Sequence, residues 1–294
     1  MLSLLPDQYQ KLLTEYDRAL VGRVAQSTRY VYVGDIQRFL AYLSNVGVTE
    51  AKRVQRAHIE SYLARLERNE YAAVTRQRKL SVFRSFFAWL YQYKYVPGDP
   101  SASLIPPRWE RKRPRVLTID EYPQLLAVID DVRDRAIVEL VLQTGLRLVD
   151  VHRLNVQDVY IPDPLTDKSV GRVQVDGRGD NGLLYLNTKA CRALVAWLAE
   201  RPGAPTDALF VSRNSRRLSR RQTQRLMDKY VQEAGLEHTT LQALRHSFAV
   251  HHLLKGTPIS QVQEYLGHKW ARSTEVYLDA AQLLKIRYMQ EHGL

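Results

Sequence analysis

The sequence predicts a mainly α-helical protein with one small β-sheet, divided into two domains. Three observations lead to this prediction. Apolar side chains recur at helical spacing through most of the 294 residues. Two short β-prone runs, 170–176 and 183–187, flank a glycine-rich segment and indicate a β-hairpin. Five prolines between residues 96 and 115 interrupt the helical pattern, which indicates a linker between domains.

Four helices are predicted before the proline-rich segment. The first covers residues 3–20, and the second starts after a cap at Ser27 or Thr28. The third and fourth cover residues 57–68 and 72–95. The fourth helix carries a stripe of phenylalanine and leucine that we interpret as core. Its other faces carry the basic residues Arg76, Lys79 and Arg84. The pattern alone leaves open whether these three face solvent or contact phosphate groups.

The helical pattern restarts at Thr118, where Glu121 three residues later completes a capping box. A helix over 133–144 is expected to end at Gly145, because glycine readily adopts the left-handed conformation that closes a helix. After the hairpin, further helices are predicted at 188–200, 219–235, 240–255, 258–266 and 279–291. We therefore predict domains over residues 1–100 and 116–294, joined by a basic, proline-rich linker at 101–115.

The charge balance predicts a polyanionic partner. The chain has 43 basic and 31 acidic side chains, a net charge of +12, and residues 1–115 hold 20 of the basic and 10 of the acidic ones. No apolar run approaches the roughly 18 residues that cross a bilayer, and the N-terminus has no secretion signal. Cys191 is the only cysteine, which excludes an intrachain disulfide and a thiolate metal site. We expect a cytoplasmic protein without a membrane partner.

Three short segments combine residue types that serve phosphate chemistry. They read TGLR at 144–147, LRHSFA at 244–249, and LGH at 266–268 with Tyr277 nine residues further on. Each is weak evidence alone. In this order they resemble the tyrosine recombinase (phage integrase) family, in particular its small two-domain members of the Xer and Cre type. The resemblance covers nearly the whole chain. It implies a helical, SAM-like core-binding domain and a mixed α/β catalytic domain that form a C-shaped clamp around DNA.

The resemblance also implies a role for each motif residue. Tyr277 is the nucleophile that forms a 3′-phosphotyrosyl link, and His268 helps to bind the phosphate. Arg147 and Arg245 stabilise the charge that develops on the phosphate oxygens. A phenol with a pKa near 10 needs such a cationic field, or a base, to react at neutral pH. The link conserves the energy of the broken ester, so no ATP, metal or other cofactor is expected.

The sequence departs from the family pattern at two catalytic positions. Gln242 stands where the family usually has a histidine, and an amide cannot carry a proton charge. Asn181 stands where the family has the lysine that protonates the leaving oxygen. Arg178 lies in the same turn, but a guanidinium gives up its proton too reluctantly to replace that lysine. Lys168 and Lys189 flank the hairpin and are alternative proton donors.

The predicted partner is a double-stranded DNA recombination site bound by a homotetramer, with a dimer on each site. The resemblance leaves accessory proteins open. The predicted DNA contacts lie in the fourth helix, the linker and the hairpin: Arg76, Lys79, Arg84, Arg111, Lys112, Arg113 and Arg178. The last helix, 279–291, is expected to dock on a neighbouring subunit. Two other functions remain: a DNA-binding architectural protein that has lost catalysis, and a topoisomerase that relaxes DNA without specific sites.

Overall fold

The computed structural model describes residues 5–109, 113–176 and 182–292. The chain separates into two compact units, Met1–Arg111 and Lys112–Leu294. Each unit encloses its own hydrophobic core, and the described residues are mostly helical with one three-stranded sheet. The predicted fold class is confirmed. None of the helices in the described ranges combines the length and the apolar character needed to cross a bilayer.

The first unit contains the four predicted helices. These are α1 (Asp7–Ala19), α2 (Gln26–Asn45), α3 (Arg56–Arg68) and α4 (Ala73–Gln92). The aromatic stripe of α4 is core, as predicted, and Phe83 lies 4.6 Å from Phe39 of α2 between ring centroids. The predicted cap of α2 is wrong. Ser27 and Thr28 lie inside its first turn, because the extended residue that precedes the helix is Ala25.

A buried ion cluster joins α2 to α4. Asp35 is fully buried and accepts hydrogen bonds from Arg38 (2.7 Å), Arg78 (2.6 Å) and Lys79. Burial alone would raise the pKa of the Asp35 carboxyl, but the hydrogen bonds from its three cations outweigh burial and hold that pKa below its ordinary value. Three cations share one carboxylate, so the cluster carries a net charge of +2.

The expectation that Lys79 lies on an exposed side of α4 is wrong. Only 4% of Lys79 is exposed, and its ammonium group is bound to Asp35. A DNA phosphate could reach the ammonium group only by drawing it away from the buried Asp35 carboxylate, and breaking a buried ion pair is costly. The exposed cations of the cluster are Arg38 and Arg78, with 58% and 44% of their side chains accessible.

The second unit begins with α5 (Glu121–Ala127), α6 (Val132–Thr144) and α7 (Leu148–Arg153). Strands β1 (Val159–Tyr160), β2 (Gly171–Gln174) and β3 (Leu183–Leu186) form an antiparallel sheet in that order. The remaining helices are α8 (Thr188–Glu200), α9 (Arg220–Glu233), α10 (Leu241–Leu254), α11 (Ile259–Leu266) and α12 (Arg272–His292). The predicted hairpin is β2–β3. Helix α7 and strand β1 were not predicted, because they are too short to show a period.

The core of the second unit brings the ends of several helices together. Helix α6 packs against α8 and α10, and α10 packs against α12. Gly145 ends α6 in the left-handed conformation, as predicted, with φ of 61°. A Cβ atom at Gly145 would lie only 2.6 Å from Cδ1 of Phe248, so the tight approach of α10 also requires glycine here. Gly267 ends α11 in the same conformation.

The last helix begins earlier than predicted. It starts at Arg272 rather than at residue 279, so Tyr277 lies inside α12 and not in a loop before it. Tyr277 and Ala281 face inward and pack with the apolar residues of α10 and α11. The position of the Tyr277 side chain is therefore set by helix packing.

Candidate active site and DNA-contact residues

Arg245 is a fully buried cation at the centre of the second unit. It lies on α10, and only 1% of it is exposed. Its guanidinium donates hydrogen bonds to the carbonyl oxygens of Gly145 and Leu266 (2.8 Å for Leu266) and to Nε2 of His268 (2.9 Å). Burying an isolated charge is very costly, and these acceptors offset that cost. Arg245 thereby ties the end of α6 to the end of α11.

Arg147 reaches the same place from the turn after α6. One of its terminal nitrogens donates to the carbonyl oxygen of Gly267 at 2.8 Å. The Asp150 carboxylate lies 3.9 Å from the guanidinium and accepts a hydrogen bond from the Arg147 backbone N–H at 3.3 Å. Asp150 therefore both orients Arg147 and caps α7. About 39% of the Arg147 side chain is exposed, so it can contact a ligand directly.

His268 is held as a neutral imidazole. Because a guanidinium can only donate, Nε2 of His268 must accept the hydrogen bond from Arg245. The proton then sits on Nδ1, which donates to the hydroxyl of the buried Thr274 at 2.8 Å. The His268 ring is nearly parallel to that of Tyr277, at 6.2 Å and 15°. His268 thus connects the arginine pair to the tyrosine.

Tyr277 is 98% buried in this arrangement, with 2% of the residue exposed. Its hydroxyl oxygen lies 2.8 Å from Nδ1 of His246, the neighbour of Arg245 on α10. From its place beside Arg245 in the LRHSFA motif, we expect His246 to pack or hydrogen-bond behind Arg245 and Tyr277, and this hydrogen bond is present. Because the phenol is buried, groups that cover it must move before a DNA phosphate can reach its oxygen.

Four of the six predicted catalytic residues lie close together: Arg147, Arg245, His268 and Tyr277. Gln242 is exposed in the first turn of α10, three residues before Arg245 and hence on the same face of the helix. Asn181 lies outside the described residues, as do the predicted DNA contacts Arg111, Lys112 and Arg178. Lys168 and Lys189 are both exposed, and Lys189 lies in the first turn of α8.

The predicted DNA contacts that the structure describes differ in accessibility. Arg76 is paired with Glu67 at 2.7 Å and has 14% of its side chain exposed. Arg84 donates to the carbonyl oxygen of Leu104, which is buried in the first unit's core. Both arginines already have partners within their unit. Arg113 is exposed.

Sequence reasoning missed an arginine cluster around the start of α9. No acidic residue lies between Asp207 and Asp228, whereas six arginines do, and all six are exposed: Arg213, Arg216, Arg217, Arg220, Arg221 and Arg225. Arg217 anchors the segment by donating to the carbonyl oxygens of His152 and Leu154. The net charge of +2 over residues 116–294 concealed this local excess. A running count of charge over short windows would have revealed it.

Comparisons with known proteins agree with the geometry. A family profile described as "Phage integrase family" matches residues 115–283, and one described as "Phage integrase, N-terminal SAM-like domain" matches residues 13–94. The first match covers more than half of the chain. The chain therefore belongs to the phage integrase family, the class of tyrosine recombinases.

Two relatives of the chain are bacterial tyrosine recombinases. Tyrosine recombinase XerC of Azotobacter vinelandii is 36% identical over 281 residues, which cover 92% of this chain and 91% of the relative. Tyrosine recombinase XerC of Syntrophus aciditrophicus is 32% identical over 292 residues, with 91% and 92% covered. The similarity spans both units.

Two solved structures share the fold. XerH site-specific recombinase bound to a palindromic difH substrate, in a post-cleavage complex, has a TM-score of 0.73 and 18% identity, and the match covers 98% of this chain and 90% of that one. A lambda integrase dimer bound to a COC′ core site has a TM-score of 0.72 and 19% identity, with 91% and 76% covered. At these identities the matches support the fold alone.

Proposed function

We propose that the chain is a site-specific recombinase whose Tyr277 cleaves and rejoins DNA strands through a 3′-phosphotyrosyl intermediate. One observation carries the proposal: Arg147 and Arg245 are bound to the adjacent carbonyl groups of Gly267 and Leu266, beside the His268 ring that stacks on Tyr277. These four side chains come from three separate segments of the sequence and meet in one place. Family membership supports the same function.

The chemistry follows from the charges at this place. Attack of the Tyr277 oxygen on a phosphodiester adds negative charge to the non-bridging oxygens, and two guanidiniums are suited to stabilise it. The new bond joins phosphorus to the phenol oxygen, and the bond from phosphorus to the 5′-oxygen breaks. Because the phosphotyrosyl ester retains the energy of the original bond, a free 5′-hydroxyl can reverse the reaction. The chemistry therefore consumes no ATP.

A nicked suicide substrate tests the proposal. Cleavage next to the nick releases a short fragment, so ligation cannot occur and a covalent protein–DNA adduct accumulates. We expect the adduct to form on duplexes that contain one particular site and not on random DNA. A protein that only binds DNA would yield no adduct. A topoisomerase would yield adducts on random duplexes and relax supercoiled DNA as a monomer.

Arg38 and Arg78 are proposed as phosphate contacts of the first unit, in place of Lys79. Asp35 binds one terminal nitrogen of each guanidinium and leaves the remainder of both groups exposed. The arginine cluster at 213–225 is proposed as a second phosphate-binding surface.

Replacing Arg38 and Arg78 together with glutamine is expected to flatten the salt dependence of DNA binding. The slope of log K against log salt falls by about 0.9 for each lost phosphate contact, so the double variant should lose roughly 2. Fluorescence anisotropy across a salt series measures it. The matched control replaces Lys52 and Arg53, which pair with the half-exposed Glu50, and these two substitutions also remove two charges. Equal slopes for the two double variants would contradict the proposed contact.

We infer that the active assembly is a homotetramer on two DNA duplexes, with α12 docked on a neighbouring subunit. Leu283, Ile286 and Met289 of α12 are spaced three residues apart and are exposed by 39–43%. Solvent-exposed apolar side chains at this spacing form one helix face that a second copy can cover. The site of action is inferred to be the cytoplasm, where bacterial DNA lies.

Replacing Leu283 and Ile286 with glutamine is expected to leave the DNA-bound protein as dimers. Point variants are preferable to truncation after residue 278, because Ala281 packs in the core. Mass photometry of complexes with two-site DNA measures the assembly. The control replaces Val170 and Val195, which are equally apolar and are exposed by 53% and 44% elsewhere in the unit. Tetramers of the α12 variant would disprove the docking role.

A further inference from the structure

The contact between His246 and Tyr277 has a chemical consequence for the proposed cleavage reaction. The phenol must lose its proton when its oxygen attacks phosphorus, and the ordinary pKa of a phenol is about 10. An imidazole within hydrogen-bond distance is the group best matched to accept a proton near neutral pH. Nδ1 of His246 lies 2.8 Å from the Tyr277 oxygen.

Among the predicted catalytic residues that the structure describes, neither His268 nor Gln242 can take this proton. His268 is neutral, and its single acceptor nitrogen already binds the Arg245 guanidinium while its other nitrogen donates to Thr274. Gln242 has an amide, which has no useful basicity. His246 has a nitrogen directed at the phenol, and α10 and α12 pack together and hold the two rings 5.4 Å apart.

We propose that His246 is the catalytic base that deprotonates Tyr277, an inference that rests on the proposed cleavage function. In the cleavage step the phenol proton moves to Nδ1, a bond forms between the phenol oxygen and phosphorus, and the bond from phosphorus to the 5′-oxygen breaks. The 5′-oxygen takes a proton from water. In ligation the 5′-hydroxyl attacks phosphorus and loses its proton to water, and the imidazolium returns its proton to the departing Tyr277 oxygen.

The test compares His246→Asn with His252→Asn in single-turnover cleavage of the nicked substrate. The asparagine oxygen keeps a hydrogen-bond acceptor near the position of Nδ1 but cannot accept the proton. Removing a general base typically slows a reaction about 10²–10⁴-fold, and this is the loss expected for His246→Asn. His252 lies on the same helix as His246 and contacts Thr257 beyond the end of that helix. His252→Asn serves as the control and should cleave at the rate of the unmodified chain. A His246→Asn rate within about threefold of the unmodified rate would overturn the inference.

Two further measurements distinguish a catalytic base from other roles of His246. Incorporating 3-fluorotyrosine at position 277 makes the phenol more acidic, so it should restore much of the rate in His246→Asn and change the unmodified chain far less. A substrate with sulfur in place of the bridging 5′-oxygen has a leaving group that needs no proton. The His246→Asn defect should persist on it. Disappearance of the defect on the sulfur substrate, or no recovery with fluorotyrosine, would refute the base role.

The same experiment checks that each variant folds and that the unmodified chain cleaves DNA. Melting temperature and DNA affinity are measured for each variant, and His246→Gln replaces His246→Asn if the latter melts early. Failure of the unmodified chain to form any adduct would refute the proposed cleavage function itself. Adduct formation that depends on Tyr277 but not on His246 would refute only the base.

Discussion

Replacing Tyr277 with phenylalanine is expected to abolish the covalent protein–DNA adduct while DNA affinity remains within about twofold of the original. The substitution removes a single oxygen and keeps the ring that stacks on His268. Without a nucleophile at this position, cleavage should fall by about 10⁴-fold or more. The lost hydrogen bond to His246 should cost only about 1 kcal/mol of the free energy of unfolding.

The adduct is measured by denaturing gel electrophoresis after incubation with the nicked substrate. Tyr185→Phe is the matched control, because Tyr185 loses the same oxygen but lies exposed on β3. It should form the adduct at the original rate. An adduct that survives in Tyr277→Phe would mean that another residue attacks the phosphate. Peptide mapping of the adduct from the unmodified chain then identifies that residue.

Most helices were predictable because their apolar side chains repeat over several turns. The bounds of α8 were predicted without error, and those of α9, α10 and α11 within two residues. Helix α7 and strand β1 span six and two residues, so neither is long enough to show a period. The start of α12 was predicted seven residues too late, since its first turns contain mostly polar residues.

The identity of the site residues was predictable from motifs, but their environment was not. Arg245 was expected to face a phosphate, and the structure shows it buried on the carbonyl groups of Gly145 and Leu266, which lie 100 and 21 residues away in the sequence. Lys79 was expected to lie on a face of α4 outside the core, but only 4% of it is exposed. Its burial depends on an ion pair with Asp35, which lies 44 residues earlier in the sequence. A local sequence pattern cannot reveal a partner so distant along the chain.

The sequence predicts that His246 packs or hydrogen-bonds near Tyr277, but it does not predict that His246 acts as a base. The sequence shows a histidine beside a motif arginine, which is compatible with packing alone. Only the structure shows that Nδ1 is directed at the phenol oxygen and that His268 is engaged elsewhere. The order of the motifs in the sequence gives no interatomic distances, so His246 could be identified as the base only from the structure.

Replacing Arg245 with lysine is expected to slow cleavage about 10²–10³-fold and to destabilise the second unit. The planar guanidinium serves two carbonyl groups and Nε2 of His268 at once, whereas an ammonium group cannot span all three. Each buried acceptor left without a donor costs about 1–3 kcal/mol. We therefore expect a loss of about 2–4 kcal/mol in the free energy of unfolding.

The loss of stability and the loss of rate can be separated by a matched arginine outside the site. Arg201 also binds backbone carbonyl groups, those of Thr206 and Ala208, and it is far from Tyr277 in the sequence. Arg201→Lys should lower the melting temperature but leave the cleavage rate of the folded protein unchanged. Rates are compared at a temperature where both variants are folded. If Arg245→Lys then cleaves within about threefold of the original rate, the positive charge alone suffices and the fork geometry of the guanidinium has no catalytic role.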